Sequence, residues 1–250
     1  MQSIQNLLLV SFWQLLYPPR CGCCGNPVAA HYAARVCNSC LSQINVLRSP
    51  LCLKCGVGLS PDGGSEDRYC RSCLKRPPVF DSARSLFDYQ GPVRDLLHRL
   101  KYTSHSGAAS TLGSLIEKTT VPAESRLFEV IVPVPLNRSR LRKRGLNQAL
   151  VLAKTIFSGD QEKIEPTMLI RVKNTIAQTR LSGRERRKNL RGAFAIKPGA
   201  TAAGKRICLV DDIFTTGATV EECAKVLRGA GAARVDVLTL ARVALPGTNS

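Results

Sequence analysis

Four C-x-x-C pairs crowd the first third of this 250-residue chain: Cys21/Cys24, Cys37/Cys40, Cys52/Cys55 and Cys70/Cys73. No other feature limits the fold as strongly. A C-x-x-C turn aims two thiolates at one tetrahedral ion, and a second turn brought back by a short hairpin completes four sulfurs. Twelve residues separate the first pair from the second, and fourteen separate the third from the fourth. Two sequential ribbons, each holding one structural Zn²⁺, are the simplest wiring; a cross-braced arrangement satisfies the same spacing. Gly25 and Gly56 directly follow a ligand pair, where a tight knuckle-like turn needs φ > 0. Cys23 is spare, because only Cys21 gives the x-x gap to Cys24. His31 is a ligand by residue type alone, and four cysteines leave it unneeded. Four thiolates also leave no open position for water, which argues against catalytic zinc. A disulfide-stapled secreted domain uses cysteine as densely, but no export signal accompanies these pairs.

The opening "MQSIQNLLLVSFWQLLYPP" places Ile4, Leu7, Leu8, Phe12, Leu15 and Leu16 at roughly helical spacing. It predicts an amphipathic helix over 1–17, ended by Pro18-Pro19. The apolar run is too short to span a bilayer, lacks a basic start and has no small-residue cleavage site. The expectation is a cytoplasmic chain with no membrane span.

Residues 18–79 then form the double ribbon, with Pro77-Pro78 as the linker to an α/β domain over 80–250. In that larger part, strand-like runs at Ser85–Tyr89, "EVIVPVP", "TMLIRV", "ICLVDDIF" and "RVDVLTLARV" are interspersed with helical patterns. These are "PVRDLLHRLKY", "AASTLGSLIEK", "NQALVLAKTIF" and "ATVEECAKVLRGAG". Strands alternating with helices predict a parallel sheet flanked by helices.

Within it, "ICLVDDIFTTGAT" carries the chemistry. Ile207–Val210 has the length and residue types of a fully covered strand, and Asp211-Asp212 would sit at its carboxyl end, where open α/β sheets bind ligands. Thr215, Thr216, Gly217, Ala218 and Thr219 then open a helix. A helix N-terminus offers unpaired N–H groups and partial positive charge, which suits a phosphate. Gly217 allows close backbone approach, and three threonine hydroxyls can donate to phosphate oxygens. Carboxylates repel a phosphate, so they face sugar hydroxyls or a hydrated Mg²⁺. The pattern asks for a phosphorylated ribose.

Charge is unevenly spread. Lys and Arg exceed Asp and Glu by eighteen overall, favouring polyanionic partners. Residues 137–191 alone hold fifteen Lys or Arg against four Asp or Glu. One cluster is Arg138, Arg140, Arg142, Lys143 and Arg144; the other is Arg180, Arg184, Arg186, Arg187, Lys188 and Arg191. Aromatic residues, usual for stacking on bases, are nearly absent from both.

The chain resembles the ComF family of competence and DNA-utilisation proteins, which join a double zinc ribbon to a type I phosphoribosyltransferase domain. The stretches that carry the resemblance are "YPPRCGCCG", "CLKCG", "FDYQGPVRDLLHRLKY", "VPVPLNRSRLRKRGLNQA", "QTRLSGRERRKNLRGAF" and "ICLVDDIFTTGAT". The resemblance implies a phosphoribosyltransferase-like sheet that binds phosphoribosyl pyrophosphate (PRPP) with Mg²⁺. Asp211 and Asp212 would meet the ribose hydroxyls, and Thr215 to Thr219 the 5′-phosphate. The segment after "VIVPVP" would lie by the pyrophosphate, with Lys101, Arg138 and Arg144 as its candidate cations. Residues 174–191 would be the loop that closes over the site. Single-stranded DNA is the further partner implied, with Arg142, Lys143, Arg180, Arg184, Arg186, Arg187, Lys188 and Arg191 as candidate contacts. A ComFA-type helicase-like translocase is implied as a protein partner. Two classes of function remain open: a PRPP-binding protein of DNA uptake or processing, and an active phosphoribosyltransferase acting on an unidentified base or amine.

Overall fold

The computed structural model describes residues 19–28, 36–102, 106–116, 119, 127–137, 139, 141–142, 145–173 and 183–244. The helix expected over 1–17, His31, and the candidates Arg138, Lys143, Arg144 and Arg180 lie outside the described residues, as do the side chains of Lys101, Arg184, Arg186 and Arg187.

The main sheet has four parallel strands in the order β1-β6-β5-β2: β1 (Ser82–Asp88), β2 (Val130–Pro133), β5 (Arg206–Phe214) and β6 (Arg234–Arg242). Its strands are nearly continuous apolar runs because both faces are covered, as parallel sheets require. On one face, Cys208, Val210, Ile131 and Leu240 pack with α3 (Gly91–Tyr102), α4 (Ser106–Ile116) and α5 (Gln148–Ile156). On the other, Ile207, Leu209, Val132 and Val237 pack with Val220, Cys223, Ala224 and Leu227 of α7 (Ala218–Gly229) and with Leu190 of α6 (Gly183–Leu190).

"TMLIRV" does not join the parallel sheet. Only β3 (Leu169–Arg171) is extended, and it pairs antiparallel with β4 (Phe194–Ile196) in a separate two-stranded sheet. Met168, Leu169 and Phe194 face the α7 side of the core, so the run is apolar because it roofs the sheet rather than extends it. The strand expected at Ser85–Tyr89 starts three residues earlier, because Ser82 already registers with Asp236.

The cysteine-rich part sits on this domain at two places. Val36, Cys40 and Cys21 belong to the core under α3. The segment before the third cysteine pair runs along the outer edge of β1. Leu47 N donates to Leu86 O at 3.0 Å, and Asp88 N to Asn45 O at 3.0 Å. Further along that edge Ala83 N donates to Lys54 O at 2.7 Å. Gly56 must be glycine here: its φ is +70°, and a Cβ would lie 2.3 Å from Ala83 O.

Candidate functional site

The cysteines form two separate clusters. The thiol sulfurs of Cys21, Cys24, Cys37 and Cys40 all lie within 4.8 Å of one another, and so do those of Cys52, Cys55, Cys70 and Cys73. The wiring is therefore sequential, not cross-braced. All eleven cysteines are free thiols. The sulfurs of Cys24 and Cys37 are 3.8 Å apart, as are those of Cys55 and Cys70. A disulfide needs about 2.05 Å.

The donor set fits zinc. Cys21 Sγ accepts from Cys37 N at 3.3 Å, and Cys52 Sγ from Cys70 N at 3.3 Å and Cys55 N at 3.5 Å. These bonds favour thiolate. The neighbouring Cys55 thiol, with the amides of Cys55, Cys70 and Lys54, brings Cys52 down to about 4 against the effect of burial. Burial also works to raise Cys21, but the amides of Cys37, Cys24 and Cys23 outweigh it and bring it down to about 6. Cys23 behaves oppositely: burial and the charges of Cys21 and Cys24 push it up to about 12. It is a neutral core thiol outside the ligand set.

At the carboxyl end of the main sheet, β5 runs on past the covered stretch Ile207–Val210. It stays paired with β6 through Phe214↔Arg242, so both aspartates lie inside the strand. Pairing with β2 ends at Pro133↔Val210, and Val134 N closes it on Val210 O at 2.9 Å. From Asp211 onward β5 therefore has a neighbouring strand on one side only. Asp211 and Asp212 are half-exposed there. They face different ways, as the strand pleat requires. The charge of Asp211 reaches the buried Cys223 of α7, whose thiol is raised chiefly by burial. The charge of Asp212 reaches Tyr89 at the end of β1, whose phenol is raised first by burial and then by that carboxylate.

Thr215 is half-buried and Thr216 exposed, and Gly217 caps α7 in the left-handed region at φ +73°. No side chain caps this helix through Gly217 itself; Ala218 N donates to Thr216 Oγ1 at 3.4 Å. Gly217 has no room for a Cβ, which would lie 2.7 Å from Phe214 Cζ. The result is a tight threonine loop opening onto a helix N-terminus beside two carboxylates, an arrangement suited to a sugar phosphate.

The loop leaving β2 reaches the same end of the sheet. Asn147 fixes its return: Nδ2 donates to Val134 O at 3.1 Å, and Oδ1 caps α5 by accepting from Ala149 N at 3.1 Å. Arg142 on this loop is exposed. Lys101 lies in the last turn of α3. Arg184, Arg186, Arg187 and Lys188 lie on α6, with Arg191 just beyond; Lys188 and Arg191 are exposed, while Leu190 anchors the helix in the core. A cleft of about 410 Å³ lined by Glu165, Thr167, Lys197 and Lys205 is at the opposite end of β5, remote from the aspartates.

Three features of the site are silent in sequence patterns. Tyr89, inside "FDYQGPVRDLLHRLKY", stands beside Asp212. Arg242 and Phe214 lie under the threonine loop. On the second ribbon, exposed Tyr69 and Leu74 stand among Arg71, Lys75 and Arg76, supplying the aromatic and basic mixture that both basic clusters lack.

A double zinc ribbon family model matches residues 12–74. The DNA utilization protein YhgH of Salmonella typhi is 33% identical over 233 residues, 91% of this chain and 99% of that protein. This chain belongs to the ComF family. Competence protein F of Haemophilus influenzae is 33% identical over 212 residues, 83% of this ComF-family chain and 90% of the relative. Competence protein ComFC of Bacillus subtilis is 30% identical over 215 residues, 83% and 84% of the two chains. Among solved structures, a purine phosphoribosyltransferase from Pyrococcus horikoshii Ot3 aligns at 18% identity and a TM-score of 0.30, over 59% of this chain and 74% of that one. The architecture of this ComF-family member rests on its own sheet and ribbons. Among the described residues, no helix is long and apolar enough to cross a membrane.

Proposed function

We propose that this chain binds PRPP with Mg²⁺ at the carboxyl end of β5 and acts in the cytoplasm in DNA uptake or processing, contacting single-stranded DNA. The observation that carries the sugar-phosphate part is the half-exposed acid pair on the one-sided stretch of β5, followed directly by the left-handed Gly217 and the start of α7. The first-turn amides of α7 and the Thr215, Thr216 and Thr219 hydroxyls bind the 5′-phosphate. Asp211 and Asp212 accept from ribose hydroxyls, and carboxylates there suit a hydrated divalent cation. Bound Mg²⁺ would supply charge neutralisation at the pyrophosphate. Lys101, Arg138 and Arg144 are the proposed protein cations on that side.

The names of the relatives, DNA utilization and competence, support the cellular role. The basic surplus of residues 137–191 supports a polyanion running past the site, and a backbone-tracking groove binds it with strong salt dependence. A ComFA-type translocase is the proposed protein partner. Calorimetry of the zinc-replete chain with PRPP tests the first part: the expected result is binding that needs Mg²⁺, and no heat with the magnesium salt refutes it. Replacing Arg184, Arg186 and Arg187 by alanine tests the second. Single-strand binding is expected to fall while PRPP binding persists.

An active transferase is the second reading, favoured by the exposure of Thr216 and the half-exposure of both aspartates, which leave the site open to an acceptor. The acceptor nitrogen's lone pair would attack the anomeric carbon as the bond to pyrophosphate breaks, with pyrophosphate leaving with the electron pair and the nitrogen's proton passing to solvent. Catalysis would rest on positioning and charge stabilisation. Pyrophosphate release across a panel of bases and amines decides it.

A further inference from the structure

We propose that Arg242 and Phe214 are positioning residues through which the second cysteine cluster sets the shape of the threonine loop, so that metal in that cluster and sugar phosphate at the loop bind cooperatively. The ligand half of this inference rests on the phosphoribosyl reading above; the mechanical half does not.

Arg242 ends β6 and is only 3% exposed. A buried guanidinium is costly unless it is paired and hydrogen-bonded. Its partners belong to the second ribbon: Nη1 donates to Cys55 O at 2.6 Å, and Nη2 to Cys55 Sγ at 3.7 Å. Four thiolates around one divalent ion keep a net negative charge, which is the counter-charge this site needs. Contacts of this kind, just outside the ligands, tune a metal centre.

The other face of the guanidinium lies on Phe214, 4.3 Å from the ring centroid. Phe214 is buried, braced edge-on by Phe80 at 6.2 Å, and registered opposite Arg242 across β5 and β6. Val243 N also donates to Phe214 O at 3.0 Å. The ring is the floor of the loop, filling the space that a Cβ on Gly217 would need. The path Cys55–Arg242–Phe214–Gly217 is thus one run of contacts from a metal ligand to the proposed phosphate cradle. A second tie lies alongside, where Val79 N, at the ribbon's exit, donates to Glu221 Oε2 in the first turn of α7 at 3.1 Å. The first cluster packs instead in the core on the α3 face, with Val93 and Leu96.

When the second cluster is emptied, no metal holds the Cys55 turn in place, and Arg242 loses the fixed carbonyl to which its Nη1 donates. The guanidinium then moves towards water and withdraws its support from Phe214. Reciprocity follows: if metal favours the ligand-ready loop, ligand must tighten metal binding by the same free energy.

The test uses the full, zinc-replete chain with a chromogenic chelator, and alkylation of released thiols read by mass spectrometry assigns each metal to its cluster. PRPP with Mg²⁺ is expected to raise the chelator concentration that strips Cys52/Cys55/Cys70/Cys73 at equilibrium about tenfold and to leave the Cys21 cluster unchanged. Arg242→Lys keeps the charge but loses the planar fork, and is expected to abolish this protection while still binding two zinc ions. Phe214→Leu carries the same readouts if Arg242→Lys does not fold. Hydrogen exchange over residues 211–222 is the ligand-free arm: it is expected to speed up when the second cluster is emptied, and not when the first is. Failure of PRPP to bind the wild-type chain sinks the phosphoribosyl reading, and the exchange result alone then decides the coupling. Unchanged exchange in the loop overturns it, as does equal protection of both clusters.

Discussion

Replacing Gly217 by alanine puts the largest local stress on the proposed site for the smallest chemical change. Two costs are set by the structure. At φ +73° an alanine sits in the left-handed region, which costs about 1–2 kcal/mol for a residue with a Cβ. That Cβ would also lie 2.7 Å from Phe214 Cζ. The ring has little freedom to retreat, because Arg242 and Phe80 pack against it, so overpacking adds about 1–3 kcal/mol. The sum, roughly 2–5 kcal/mol, corresponds to a fall in melting temperature of about 5–15 °C for a domain of this size. Gly229 supplies the control at the other end of α7. It lacks a positive φ, and a methyl group added there would meet nothing within 4 Å, so Gly229→Ala is expected to gain about 0.5–1 kcal/mol. Thermal melts at equal zinc content, with PRPP calorimetry on each variant, read both. Gly217→Ala is expected to melt earlier and lose PRPP affinity; Gly229→Ala is expected to do neither. If Gly217→Ala melts with the wild-type chain, the account of the loop packed on Phe214 is wrong.

Cys23→Ser is expected to retain two zinc ions per chain and Cys24→Ser only one, counted by colorimetric metal release. Asp211→Asn and Asp212→Asn are each expected to weaken Mg²⁺-dependent PRPP binding at least about tenfold, with melting temperatures near wild type; unaltered calorimetric affinity in both refutes the ribose assignment. The Arg184, Arg186 and Arg187 triple alanine variant is expected to flatten the logarithmic salt dependence of single-strand binding by about 2, measured by fluorescence anisotropy. Asp81 accepts from Val235 N at 2.8 Å and from Arg228 Nη2, so Asp81→Asn is expected to cost about 1–3 kcal/mol in urea unfolding.

The sequence patterns that proved readable were those with short-range causes. C-x-x-C spacing is local, and it led to two clusters whose members the folded chain does bring together. The Ile207–Val210 run looks covered because it is covered on both faces. What patterns missed depends on pairs distant in the chain. "TMLIRV" has the composition of a central strand, yet its apolar side chains serve a two-stranded roof, and composition does not distinguish these uses. Arg242 looks like an ordinary charge closing an apolar run; its contact with Cys55, 187 positions away, has no periodic signature.

The strip of ribbon backbone along β1 has a consequence for how the protein survives in a cell. An outer strand with unsatisfied amides and carbonyls is a template for pairing with another chain, and here Leu47, Lys54 and Asn45 occupy those groups. That cover is held in shape by metal, since so small a cysteine-rich segment has little apolar interior of its own. Zinc starvation would therefore uncover a sticky margin on the sheet, so that insolubility would accompany the loosened threonine loop.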